Sequence, residues 1–229
     1  MTSTNNTSIN RRYTTIVFDC DGTLLNTLDD LADTMNYVLK ANNYPTRTLD
    51  EIRRFVGNGL GKLVERSVPE GTSAETQADL LAQFKEYYAE HWQDKTAPYE
   101  GIYELLDTLK QEGYKIAVVS NKIQEGVTAL NEQYFKGYFE VGIGERPGLA
   151  RKPAPDMVNT ALQELNSTTE ESVYIGDSEV DLATAQNSKL LPIAVTWGFR
   201  EEALLKEKGA VHIAHKPEDV LEILGELNK

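Results

Sequence analysis

Two carboxylates one residue apart, Asp19 and Asp21, close an apolar run: Thr14-Thr15-Ile16-Val17-Phe18 leads into Asp19-Cys20-Asp21-Gly22-Thr23. Like charges so close repel and are costly to desolvate, so a chain that sets both at the end of a buried strand gives them a cation or a proton to share. The alternative is a strand ending in an ordinary polar Asp-Gly turn. Three further stretches repeat the arrangement. Val118-Val119 runs into Ser120-Asn121-Lys122, whose hydroxyl and amide can grip phosphate oxygens or cap a helix. Arg151-Lys152-Pro153-Ala154-Pro155-Asp156 offers a cation just before a helix start, with prolines stiffening the backbone around Lys152; the alternative is a solvent-facing lysine. Tyr174-Ile175-Gly176 ends in Asp177, and Asp181 returns one helical turn later. Carboxylates gathered this way suit a hard cation with oxygen ligands, Mg2+ in particular, or else complement a helix dipole.

Such residues need strand ends brought to one place. From Tyr114 onward, short apolar runs alternate with helical spacing, which predicts βα units and a parallel sheet. Strands are expected at Lys115–Ser120, Phe139–Ile143, Ser172–Ile175, Leu191–Thr196 and Ala210–Ile213. Helices are expected at Gln124–Glu132, Asp156–Leu165, Glu179–Gln186, Glu201–Lys208 and Lys216–Leu227. Between the first strand and the second, Leu28–Ala41, Leu49–Phe55, Leu60–Ser67 and Ala74–Trp92 all read as helices, forming an all-helical insert that leaves through Pro98-Tyr99-Glu100-Gly101 before a helix at Ile102–Gln111. The stripe Leu80, Leu81, Phe84, Tyr87, Tyr88 and Trp92 is read as the insert's own core. In an open α/β sheet, ligands bind at the carboxyl ends of the strands, and all four chemical stretches fall there.

The 229 residues, 40% of them hydrophobic, suffice for one large domain or a domain with an insert. Thirty-six acids against 23 bases give a net charge of −13, which disfavours nucleic acid and anionic membrane as partners. Cys20 is the sole cysteine; with no histidine nearby in sequence it reads as a small buried hydrophobe, and a reducing, cytoplasmic home is expected. The polar first dozen residues carry no apolar signal segment and are expected to form a flexible arm, and no stretch suggests a membrane span. Nothing in the sequence sets the oligomeric state.

Taken in order, Asp19–Thr23, Ser120-Asn121, Arg151–Pro153 and Gly176–Asp181 resemble the four motifs of the haloacid dehalogenase superfamily of phosphatases. The resemblance implies a three-layer Rossmann-like parallel-sheet core over residues 13–26 and 98–229, with an inserted all-helical cap domain over 27–97 and an arm over 1–12. Phe55-Val56-Gly57-Asn58-Gly59-Leu60 and Thr196-Trp197-Gly198-Phe199-Arg200 resemble segments of phosphoglycolate phosphatases. Gly57–Lys62 fits neither the dinucleotide nor the P-loop template, and reads as a cap loop with Asn58, and Arg54 or Lys62, as candidate substrate contacts, or as helix punctuation.

By that resemblance Asp19 would be the nucleophile that forms an aspartyl-phosphate, and Asp21 the general acid and then base. Asp19 and Asp177, with the backbone carbonyl of Asp21, would hold Mg2+, while Asp181 would orient Lys152 or a metal-bound water. Thr23, Ser120, Asn121 and Lys152 would contact the transferring group. The implied substrate is a small phosphorylated metabolite, 2-phosphoglycolate foremost. Alternatives are a sugar-phosphate mutase, a pyrophosphatase or nucleotidase of the same superfamily, and a non-catalytic binding module. A dehalogenase would lack Asp21.

Overall fold

The computed structural model describes residues 11–229 of the chain. The order of elements is β1 (Thr15–Phe18), β2 (Leu25–Asn26), α1 (Leu28–Ala41), α2 (Leu49–Phe55), α3 (Leu60–Ser67), α4 (Ala74–His91), β3 (Ala97–Pro98), α5 (Ile102–Gln111) and β4 (Lys115–Ile123). It continues with α6 (Gln124–Tyr134), β5 (Val141–Glu145), α7 (Asp156–Glu164), β6 (Ser172–Gly176), α8 (Glu179–Ser188), β7 (Leu191–Val195), α9 (Glu202–Glu207), β8 (His212–Ala214) and α10 (Pro217–Leu227).

Six strands form one parallel sheet in the order β5-β4-β1-β6-β7-β8. Alternation of side chains along each strand splits the core into two layers. Ile16, Phe18, Ile116, Val118, Val173 and Ile175 pack with residues of α5, α6 and α10 on one face. Val17, Ala117, Val119 and Tyr174 pack with α7 and Ala185 of α8 on the other. Both faces are therefore covered, as an all-parallel sheet requires, and the α/β three-layer expectation holds. The register pairs Phe18 with Val118 and with Ile175, so β1, β4 and β6 bring their carboxyl ends level.

Helices α1 to α4 build a separate core from Leu31, Met35, Leu39, Ile52, Leu63, Leu80 and Phe84. The chain crosses into and out of this helical unit through the antiparallel ribbon β2/β3, in which Leu25 faces Pro98 and Asn26 faces Ala97. Asp30, buried in the first turn of α1, accepts the Thr96 N–H at 2.8 Å and the Lys95 N–H at 3.0 Å, tying the outgoing crossing to the incoming one.

Several details depart from the sequence reading. Strand β4 runs on past Ser120 to Ile123, and its pairing with β5 becomes irregular between Val119 and Ile123. Strand β5 begins at Val141 rather than Phe139, whose ring instead packs edge-on against Phe135 and Phe18 in the core. The aromatic stripe of α4 divides: Leu80 and Phe84 are core, Tyr87 stacks between Tyr37 and His91, and Tyr88 and Trp92 line a cavity. Most of the expected N-terminal arm lies outside the described residues, but Arg11 is held by the backbone carbonyl and carboxylate of Glu112. Among the described residues, no helix is long and apolar enough to cross a membrane.

Replacing Asp30 with Ala strands two backbone N–H groups, one of them buried, and is expected to cost about 2 kcal/mol of stability. Urea denaturation checks this, with Asp33→Ala, which removes only a solvent-facing partner of Lys95, leaving the midpoint nearly unchanged.

Candidate active site

The level ends of β1, β4 and β6 place Asp19, Ser120 and Asp177 around one cavity of about 500 Å³ between the sheet edge and the helical unit. Asp19 continues the strand ladder, its N–H donating to the Ile175 carbonyl at 2.8 Å. The chain then turns through Gly22, at φ +92°, where a Cβ would collide with the Asp177 carboxylate. Glycine is required there twice over, by the left-handed backbone and by the carboxylate against it.

Lys152 is the centre of the site. Its buried ammonium donates to Asp19 Oδ1 at 2.6 Å, Asp181 Oδ1 at 2.9 Å and the Tyr174 hydroxyl at 3.0 Å, so all three of its protons are used. This is no solvent-facing lysine. Burial by itself favours the neutral amine, but Asp181 and Asp19 outweigh it and hold the ammonium well above the ordinary lysine range.

Asp181 is saturated by the chain. Its Oδ2 accepts the Ser178 hydroxyl at 2.6 Å and the Ser178 N–H at 3.1 Å, closing a capping box at the start of α8. Asp177 accepts the Phe199 N–H at 2.7 Å on Oδ2 and the Thr23 hydroxyl at 3.3 Å on Oδ1. Thr23 is thus a buried brace for Asp177 and does not line the cavity.

The carboxylates of Asp19, Asp177 and Asp181 lie within 4.8 Å of one another and are all buried. Three carboxylates against one ammonium leave an excess of negative charge. Burial, reinforced by Asp181 and Asp177, pushes the Asp19 carboxyl well above the usual range against the pull of Lys152. Burial and Asp181 likewise raise Asp177 to about 7. Oxygen donors with surplus charge fit a hard divalent cation. Each oxygen of Asp181 accepts two hydrogen bonds, from Lys152 and the Tyr174 hydroxyl on Oδ1 and from Ser178 on Oδ2, whereas each oxygen of Asp177 accepts one and Asp19 accepts one in all, so the lone pairs left for a cation belong mainly to Asp19 and Asp177.

Asp21 stands beside this trio. Its Oδ2 accepts the Ser120 hydroxyl at 3.3 Å, and Lys122 Nζ lies 3.4 Å from its Oδ1. Asn121 lines the cavity, but its amide also donates to the Lys152 carbonyl at 3.1 Å, so it braces the lysine-bearing loop. Cys20 is buried, and burial pushes its thiol well above the ordinary range, which removes it as a nucleophile.

On the helical side, the loop expected to overhang the site contributes Gly57 and Gly59 but not Asn58, whose side-chain oxygen accepts from Arg66 at 2.7 Å. Arg54 pairs with Asp50 and Lys62 with Glu65, and neither lines the cavity. The cations that do line it are Lys85, Lys122, Arg151, Lys152 and Arg200. Arg200 grips Glu179 at 2.7 Å and donates to the Arg53 and Val56 carbonyls at 2.8 Å, fastening the end of α2 to the core. Phe199 beside it inserts into the core of the helical unit. Both lie in the Thr196–Arg200 segment that the sequence marks, whereas Tyr88 is marked only as part of the helical stripe read as core, and Lys85 carries no local signal.

Because Asp177 holds its proton up to about pH 7, a divalent cation must displace it below that pH. With its folded pKa above its unfolded one, the free carboxyl makes the fold less stable as pH rises from the ordinary carboxylate range through 7, and a cation reverses that loss. Saturating Mg2+ is therefore expected to raise the thermal midpoint more at pH 8 than at pH 6. Equal increments at the two pH values would contradict this electrostatic account.

Comparison with known proteins agrees with the geometry. Residues 16–195 match the family model of the haloacid dehalogenase-like hydrolases. A phosphoglycolate phosphatase of Caulobacter vibrioides is 33% identical over 90% of this chain and 88% of its own. A pyrophosphatase PpaX of Listeria monocytogenes is 30% identical over 94% and 95%. A solved structure, provisionally named a phosphoglycolate phosphatase, from Lactobacillus delbrueckii subsp. bulgaricus superposes with a TM-score of 0.89 at 36% identity, covering 95% of this chain and 99% of that one. The chain belongs to the haloacid dehalogenase-like hydrolases and is a phosphatase of that family.

Proposed function

We propose that the protein is a Mg2+-dependent phosphatase that hydrolyses a small phosphomonoester, 2-phosphoglycolate foremost, through a phosphorylated Asp19. The observation that carries this reading is the buried Lys152 bridge between Asp19 and Asp181, set beside Asp177 and Asp21 at the wall of one cavity. An oxygen of Asp19 attacks phosphorus in line with the departing oxygen; the new P–O bond forms as the ester P–O bond breaks. Asp21 delivers its proton to the leaving alkoxide. It then takes a proton from the water that attacks phosphorus, and Asp19 is released with inorganic phosphate.

The ammonium of Lys152 orients Asp19 and shares its charge with the transferring oxygens. The hydroxyl of Ser120 and the second amide N–H of Asn121 are the neutral donors in reach of the same group, while Thr23 acts only through Asp177. The side-chain oxygen of Asn58 accepts from Arg66, and the residue lies off the cavity wall. Asp19, Asp177 and the carbonyl of Asp21 are the groups that would hold Mg2+, with Asp181 acting through Lys152. When bound, the cation screens the repulsion between the anionic nucleophile and the anionic ester.

A second reading, pyrophosphate hydrolysis, is favoured by the pyrophosphatase relatives and by Lys85 and Arg151 at the cavity wall, which suit a second anionic group. A phosphate-release screen over phosphoglycolate, sugar phosphates, nucleotides and pyrophosphate separates the two. Asp19→Asn is expected to abolish turnover on every ester, and Asp21→Asn to slow alkyl esters by about 100-fold or more. Undiminished turnover by Asp19→Asn, or an isomerised sugar phosphate in place of free phosphate, would contradict the proposal.

A further inference from the structure

Lys122 is a largely buried cation, its side chain 12% exposed, that the reaction described above leaves unused. It follows Ser120 where β4 loses its regular pairing with β5, and three contacts build its path. Beneath it lies Gly126 of α6, where a Cβ would stand 2.9 Å from both Cγ and Cδ of the lysine. Glycine is otherwise unfavourable inside a helix, so its presence here makes room for the stem. Above it is Tyr88 of α4, whose hydroxyl accepts from Nζ at 3.3 Å and whose ring centroid lies 5.1 Å from the ammonium. At its tip is Asp21 Oδ1, 3.4 Å away, a buried oxygen with no hydrogen-bond partner of its own. The other oxygen of Asp21 has Ser120 as its neighbour, and Ser120 in turn accepts the Lys122 N–H at 3.1 Å. Both oxygens of Asp21 are thus addressed from the end of β4, one of them by a group held from the helical unit.

Resting on the reading of Asp21 as acid and base, we propose that Lys122, propped by Tyr88 and Gly126, is a positioning residue that fixes the Asp21 carboxyl group against the leaving-group oxygen. A general acid works only within hydrogen-bond reach of the atom it protonates, so a carboxyl free to rotate loses most of its advantage. Tyr88 belongs to the helical unit and Lys122 to the core, and they meet only while the two are seated together. Alignment of the acid is therefore tied to closure of the cavity, and α4 contributes to proton transfer through Tyr88.

The test is leaving-group release in a single turnover, with enzyme in excess and Mg2+ present. It compares the best alkyl ester of the phosphate-release screen with 2,4-dinitrophenyl phosphate, whose phenolate departs without a proton. Lys122→Met is expected to slow release from the alkyl ester by about 30- to 100-fold and from the dinitrophenyl ester by less than about 3-fold, with KM little changed. Lys122→Arg, which keeps the charge, is expected to recover much of the alkyl rate. Should Lys122→Met fail to fold, Tyr88→Phe carries the test, with about a 5-fold loss expected on the alkyl ester alone. Equal losses on both esters, or none on either, overturn the inference while leaving the phosphatase reading intact. A wild-type chain that turns over neither ester overturns both.

Discussion

Asp19, Asp177 and Asp181 repel one another inside a space from which water is largely excluded, and the ammonium of Lys152 is the cation that lets them stay there. Two of its three protons go to carboxylates, and the third to the Tyr174 hydroxyl. A buried charge pair is no automatic gain in stability, because desolvation offsets much of the attraction. Here the pairing is incomplete by design of the sequence: one cation faces three acids, and the remaining charge leaves the carboxyls strained toward protonation. A site poised in this way gains when a divalent cation and a phosphoryl group complete it.

The sheet makes that arrangement possible. Residues distant in sequence, Asp19, Ser120 and Asp177, become neighbours because the parallel register sets the ends of β1, β4 and β6 side by side. The loop that carries Lys152 comes from beyond β5, and Asn121 holds it by the Lys152 carbonyl. Glycines close the structure where carboxylates press on the backbone. A Cβ at Gly22 or Gly198 would run into Asp177, and one at Gly176 into Asp181. The helical unit is fastened to this edge by a short segment after β7: the Phe199 N–H binds Asp177, its ring enters the helical core, and Arg200 clamps the end of α2. The same segment therefore touches a candidate metal ligand and the wall of the substrate cavity.

Much of this was legible in the chain itself, for a physical reason. Apolar runs that end abruptly in Asp, Ser-Asn or Gly-Asp mark buried strands whose ends carry chemistry, and the four helices of the insert show clear 3.6-residue spacing, so α1, α2 and α3 have the bounds the pattern predicts. What stayed hidden depends on side-chain direction. Tyr88 sits four residues after Phe84, and a stripe on one helix cannot tell which of its members meets the local core and which meets another unit. Asn58 is a plausible ligand by position, yet its side-chain oxygen pairs with Arg66 of the next helix and the residue stays off the cavity wall. Thr23 closes the Asp19–Thr23 motif but faces inward to Asp177. Lys122 stands in full view after Ser120-Asn121, and only the folded contacts with Tyr88 and Gly126 distinguish it from a surface lysine.

The central claim is that Asp19 carries the phosphoryl group between its donor and water. The most direct measurement is mass spectrometry of enzyme quenched in acid during turnover, followed by digestion and mapping of the fragment from Tyr13 to Lys40. The account predicts a fragment heavier by one phosphoryl group, with the modification on Asp19. A phosphoryl group on any other residue, or active enzyme that never shows one, would contradict it.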